Sequence, residues 1–339
     1  MLKRKTVFVI GAGASQEFGL PVGSKLQQTI GSMLNYKFEA RNRLSGDSVL
    51  WDAIERLNHK QELLAACWKV RDGITLSNSI DNFMDVHRSD PNVRTVGGLA
   101  IARAIIHAER KSTLFFDERN DQKDIDFLAV DSTWVLKLFR YLQEGVTVDN
   151  VGNIFSNASF IVFNYDRCLE HFMFRAVRAM YRIGSEQSAK VTETMRVIHP
   201  YGTIGRLPWQ HLNLPDIPFG SDNPSLEEMA KGITTYTDGM SSTDTQALMH
   251  EWMMKAEQIC FLGFSFQDQN VSLLSPPLGL APPAGRHAEI LGTCLGISPT
   301  DVRDIEGELV RKFRGCGDIT LDRSMNCAQF IDSYSRRFH

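Results

Sequence analysis

Paired cysteines are missing from this sequence. Cys67, Cys168, Cys260, Cys294, Cys316 and Cys327 are scattered singly, with no CxxC pair and no Cys/His cluster at zinc spacing. That excludes a zinc module of the familiar kinds and predicts reduced, partly buried thiols. Apolar runs long enough to span a bilayer are also lacking. Lys3-Arg4-Lys5 leads only into Val7 to Ile10 before glycine intervenes, which is too short for the apolar centre of a signal peptide, so a cytoplasmic protein is expected. Neither sign of charge dominates: the net charge of −3 gives no global pull towards nucleic acid or an anionic membrane. No internal repeat and no low-complexity tract is visible.

What is present is ample apolar material. With 43% hydrophobic residues among 339, the chain can build a large core, as one large or two ordinary domains. The stretch around which the rest is arranged is Val7-Phe8-Val9-Ile10-Gly11-Ala12-Gly13-Ala14-Ser15, followed by Gly19-Leu20-Pro21. A short β-branched and aromatic run enters small residues, and Leu26, Ile30, Met33 and Leu34 then follow a helical period. The pattern reads as strand, glycine turn, helix. Gly11 and Gly13 permit a tight turn and close backbone approach, and helix N–H groups beyond it favour an anion such as a pyrophosphate. A turn with no ligand is the plainer alternative.

Two known phosphate-binding signatures fit poorly. The dinucleotide fingerprint wants a third glycine where Gln16 stands and an acidic residue ending a second strand, but Tyr36 to Arg41 around Glu39 does not read as a buried strand. Gly19 to Leu26 is one residue short of an ATPase phosphate loop and lacks the hydroxyl after Lys25.

Further along, residues 24–150 read as mainly helical, a helical insertion after the first strand. Apolar residues from Leu50 to Trp68 keep a helical period, Asp81 and Asp85 share one face of a short helix and are expected at the surface, and 93–110 should be a largely buried helix. Trp134 to Leu142 forms another. Strands follow at 158–163, 195–199, 258–262, about 288–294 and about 317–322, with helices after several of them. Residues 206–241, rich in Pro, Asp, Asn and Gly, predict a long surface loop of lid type.

Four strands empty into polar or glycine turns: Gly11 to Ser15, Asn164 to Asp166, His199 to Gly202, and Gly263 to Ser265. In an open parallel sheet such ends share one edge, so one pocket can collect all four. Asn164 and Asp166 alternatively cap the helix that follows. Gly263-Phe264-Ser265-Phe266-Gln267 has Gln267 where a nucleophile elbow needs glycine, which argues against a serine hydrolase.

The order Gly-Ala-Gly-x-Ser with Gly-Leu-Pro, then Asn-x-Asp after a strand, then His near Gly, then Gly-x-Ser after a late strand, resembles the sirtuin (SIR2) catalytic domain. It looks closest to the SIR2-like bacterial branch that hydrolyses NAD in anti-phage defence. The resemblance covers residues 5–22, 158–170, 195–205 and 258–270. It implies an α/β fold with a Rossmann-like parallel sheet, one SIR2-like domain over 1–339, and NAD+ as substrate without a metal.

By that resemblance Ala12, Gly13 and Ser15 cradle the pyrophosphate, with Gly11, Gly19 and Pro21 in the same motif. Asn164 and Asp166 lie beside the nicotinamide ribose, Asn164 holding a water and Asp166 facing the positive charge of an oxocarbenium-like state. His199 is the general base, and Gly263, Phe264 and Ser265 meet the adenosine half. The family places its histidine directly before the glycine, where this chain has Tyr201, so either His199 or Tyr201 fills that role. The family's protein deacylases carry paired zinc cysteines, absent here, which favours an NAD+ glycohydrolase. An NAD- or ADP-ribose-binding sensor is the alternative. Restraint by homo-oligomerisation or by a partner, such as an ATPase, is implied by the family, with apolar helices at 93–142 as a candidate interface.

Overall fold

The structure is a computed structural model that describes residues 2–40, 42–117, 124–234, 243–277 and 287–338. Among the described residues eight strands run β1 (Thr6–Ile10), β2 (Phe38–Glu39), β3 (Asn42–Arg43), β4 (Ala158–Val162), β5 (Arg196–Ile198), β6 (Gln258–Leu262), β7 (Ala288–Thr293) and β8 (Cys316–Asp322). Six of them form one parallel sheet in the order β5-β4-β1-β6-β7-β8, while β2 and β3 make a separate antiparallel pair. Counted along the chain, the six parallel strands stand in the 3-2-1-4-5-6 order of Rossmann-like folds. The protein is therefore α/β with a Rossmann-like sheet. All six predicted strands are present.

Strand β1 is buried along its whole length and lies between β4 and β6. Its alternate side chains serve two cores. Val7 and Val9 join one apolar cluster with Ile161, Phe261 and Ile290, while Phe8 and Ile10 join the other with Phe160, Val162 and Leu262. A near-continuous apolar strand is what a sheet covered on both faces requires.

The helical segment between β1 and β4 does not stay together. Helices Gly23–Met33, Ser48–Arg56, Lys60–Gly73, Ile80–Val86 and Pro91–Lys111 pack on the Val7 face, but Trp134–Gln143 packs on the Phe8 face. The single helical period over 48–70 is broken in the structure by His59, at φ +64. The 93–142 helices, read as a candidate interface, place Val93, Val96, Leu99, Ile101, Trp134 and Leu138 inside the two cores. No helix among the described residues is long and apolar enough to cross a membrane.

The described part of the expected lid, 206–234, is fastened down. Arg206 N–H donates to Pro215 O at 2.9 Å, Thr203 N–H to Gly232 O at 3.1 Å, and the short helix Leu226–Ala230 lies on Pro91–Lys111. Residues 235–241 of that expected loop lie outside the described residues.

Candidate functional site

The turns after β1 and β6 touch backbone to backbone. Gly11 N–H donates to Leu262 O and Gly13 N–H to Gly263 O, each at 3.0 Å. A Cβ on Gly11 would stand 2.5 Å from Gly263 O, and one on Gly263, at φ +58, would stand 2.0 Å from Ala14 N. The glycines are thus needed for contact between turns. The amides of Gly13 and Ala14 are already committed, to Gly263 O and Gly11 O. By contrast helix Gly23–Met33 begins after Val22 with no side-chain cap, so no capping side chain accepts from its first-turn N–H groups.

A cavity of about 700 Å³ opens above this contact, at the switch of strand order between β1 and β6, in the size range of small-molecule sites. All four sequence-predicted turns contribute: Gly11, Ala12, Gly13, Asn164, Tyr201, Gly263, Phe264 and Ser265 are on its wall. Ser15, Gly19, Pro21, Asp166 and His199 are not among the wall residues. Gly19 instead ends a short 3-10 turn at φ +89, donating its N–H to Gln16 O.

Asn164 is buried and its orientation is determined by its partners. Its Nδ2 donates to Gly11 O at 3.1 Å and to Ser15 Oγ at 2.8 Å, and the Gly11 carbonyl can only accept. The amide therefore points its nitrogen at the opening turn. Asn164 Oδ1 is left buried with no hydrogen-bond donor. A buried acceptor without a donor is costly unless a ligand or water supplies one.

Asp166 lies behind this pair. It accepts from Ser15 and from Cys168 N–H, the latter at 3.2 Å, and burial pushes its carboxyl above the usual carboxylate range. Asp166, expected beside the ribose, is not on the cavity wall; it anchors Ser15, which in turn orients Asn164. Capping the following helix, the plainer alternative, is part of what it does.

His199, expected as the general base, is likewise absent from the cavity wall. Its Nδ1 sits 2.9 Å from Asn164 O and its Nε2 2.8 Å from Glu170 Oε1, with only 10% of the side chain exposed. A carbonyl can only accept, so Nδ1 carries a hydrogen, and Nε2 faces a carboxylate. This geometry favours the imidazolium. Burial opposes the charge, but Glu170, the Asn164 carbonyl and Asp166 outweigh it, and the pKa rises above 6.5. A group raised in the folded state adds stability that is complete below its ordinary pKa and is lost as pH rises through the folded value. Urea unfolding of wild type and His199→Gln should therefore show the largest difference at about pH 6 and a shrinking one at higher pH; a gap constant with pH would contradict the imidazolium.

Tyr201 does reach the cavity, where its hydroxyl donates to Asn270 Oδ1. Sequence reasoning missed two carboxylates on the same wall. Glu17 accepts from Trp134 N–H at 2.8 Å and from Ala328 N–H at 2.9 Å, tying two helix starts to the opening turn. Burial raises its pKa. Asp81, expected at the surface, instead faces the cavity and accepts from the Tyr165 hydroxyl. Its Asp-x-x-x-Asp spacing gave no hint of this, because the contact depends on how helix Ile80–Val86 meets the end of β4.

No family model matches the chain, and neither does any curated protein. The site is therefore read from its own geometry. Gly296, Ile297, Met325 and Asn326, from beyond β7 and β8, complete the wall on the β6 side of the switch. Among the described residues no three His, Cys, Asp or Glu side chains converge as metal ligands.

Proposed function

We propose that the cavity binds NAD+ and hydrolyses its nicotinamide to ribose bond, as the resemblance to SIR2-like NAD hydrolases implies. The observation that carries this reading is the unsatisfied Asn164 Oδ1, buried at the wall of a cavity that bridges the switch point of the sheet. In this reading the phosphates lie near the uncapped start of Gly23–Met33 and the adenosine half towards Ser265 and Ile297, both on the wall of the cavity of about 700 Å³. In the reaction the C1′–N1 bond breaks and its electron pair leaves with neutral nicotinamide. A water, accepted by Asn164 Oδ1, adds its oxygen to C1′ and releases a proton. By the same resemblance, the cellular role proposed is that of a regulated anti-phage effector that depletes NAD+.

The withdrawal of His199 from the cavity favours a second reading, a sensor that holds NAD or ADP-ribose without turnover. One assay separates the two. Wild type incubated with NAD+ should release nicotinamide, and Asn164→Ala should lower the rate by at least about 100-fold, the usual effect of losing a positioned polar group at a reacting centre. Circular dichroism of the variant checks that the fold survives. Binding without nicotinamide release by wild type assigns the sensor; full activity in Asn164→Ala removes that residue from the chemistry.

A further inference from the structure

Asp81 is the feature of this cavity that the four motifs leave unexplained. It belongs to the first turn of helix Ile80–Val86, far from every glycine motif in the chain, yet lies on the cavity wall with Asn164 and Tyr201. Its side-chain partner is a neutral one, the hydroxyl of Tyr165, which is itself buried. Among the described residues no lysine, arginine or histidine forms an ion pair with it. Burial pushes its carboxyl above the usual carboxylate range, and with only the Tyr165 hydroxyl and its own backbone N–H as partners its charged form is electrostatically incomplete.

The surroundings specify what would complete it. Tyr165 and Tyr201 lie with ring centroids 6.5 Å apart, and Phe163 meets Tyr201 edge to face at 5.7 Å and Phe264 at 5.1 Å. Phe163, Tyr201 and Phe264 all face the cavity. Aromatic faces and a carboxylate together favour a flat cation over a neutral ring of the same shape. A metal ion fits less well, because the wall offers rings where a hard cation needs further oxygen ligands.

We propose that Asp81, oriented by Tyr165, recognises the positive charge of the substrate's ring, so that the site selects an oxidised pyridinium dinucleotide over the reduced one, whose ring is neutral. This rests on the reading of the cavity as a dinucleotide site and adds its charge selectivity. The same carboxylate then faces the ribose as positive charge shifts from the ring to C1′, the role expected of Asp166 from the sequence.

Equilibrium titration of the protein with NADH and with the carbocyclic analogue of NAD+, which keeps the pyridinium but cannot be hydrolysed, tests this. Wild type should prefer the oxidised analogue by about tenfold or more. Asp81→Asn, similar in shape and neutral, should bring that preference close to one while NADH affinity changes less than about twofold, which also reports an intact pocket. Asp81→Glu should retain the preference. An unchanged preference in Asp81→Asn overturns the role of Asp81 while leaving the dinucleotide site standing. Failure of wild type to bind either dinucleotide overturns both.

Discussion

Arg167→Met should destabilise the protein by about 3 to 5 kcal/mol, the usual cost of leaving one member of a buried ion pair without the other. Arg167 and Glu109 are 1% and 0% exposed and meet side on, with Nε to Oε1 at 3.0 Å and Nη2 to Oε2 at 2.6 Å. The pair also fastens the chain beyond β5. Arg167 Nη1 donates to Ile217 O at 2.5 Å, and Gly220 N–H donates to Glu109 Oε2 at 3.1 Å. Urea unfolding should show the loss, and limited proteolysis should show new cuts between 206 and 220. The double variant Arg167→Met with Glu109→Leu should recover much of the stability, because no charge is then left buried alone. If the single variant unfolds like wild type, the pair does not hold the loop.

Gly263→Ala should cost about 2 to 5 kcal/mol and close the cavity to dinucleotides. A left-handed residue with a Cβ costs about 1 to 2 kcal/mol, and overpacking against fixed backbone adds about 1 to 3 kcal/mol. The atoms in the way are Ala14 N and Gly13 C, at 2.0 and 2.4 Å, which cannot rotate aside. Gly19→Ala is the control. Its φ is +89, but nothing lies within 4 Å of its added Cβ, so only the conformational cost of about 1 to 2 kcal/mol applies. Equal losses at the two positions would show that backbone conformation alone, and not contact between the turns, makes residue 263 glycine.

Most of what builds the sheet is visible residue by residue. The strands are short, apolar on both faces and followed by Gly, Asn or His, because a strand between two helical layers must be buried and its end must turn where polar groups reach solvent or ligand. That is why the runs ending at Ile10, Val162 and Leu262, and the turns beyond them, stand where sequence reading placed them. Residues 23–111 and 134–143 show the opposite case. Amphipathic periodicity states that a helix has a buried face, and it carries no information about which side of a sheet that face meets.

The roles within the site divide along the same line. The place of Asn164 on the cavity wall was legible because it follows the apolar run of β4, and its neighbour Ser15 belongs to the opening motif. Asp166 and His199 carry the same local signature, yet their side chains turn into the interior, where Ser15 and Cys168 engage Asp166 and the Asn164 carbonyl and Glu170 engage His199. Asp81 carried a surface signature and faces the cavity.

Local chemistry thus determined the α/β class, the strands and the turns that end them, since each depends on a few consecutive side chains and their backbone preferences. Tertiary structure alone decided which carboxylate reaches the cavity, that both nitrogens of His199 are engaged and where the buried Arg167–Glu109 pair forms. Those outcomes rest on contacts between residues 29 to 84 positions apart, and no short-range pattern encodes an electrostatic environment assembled over such distances.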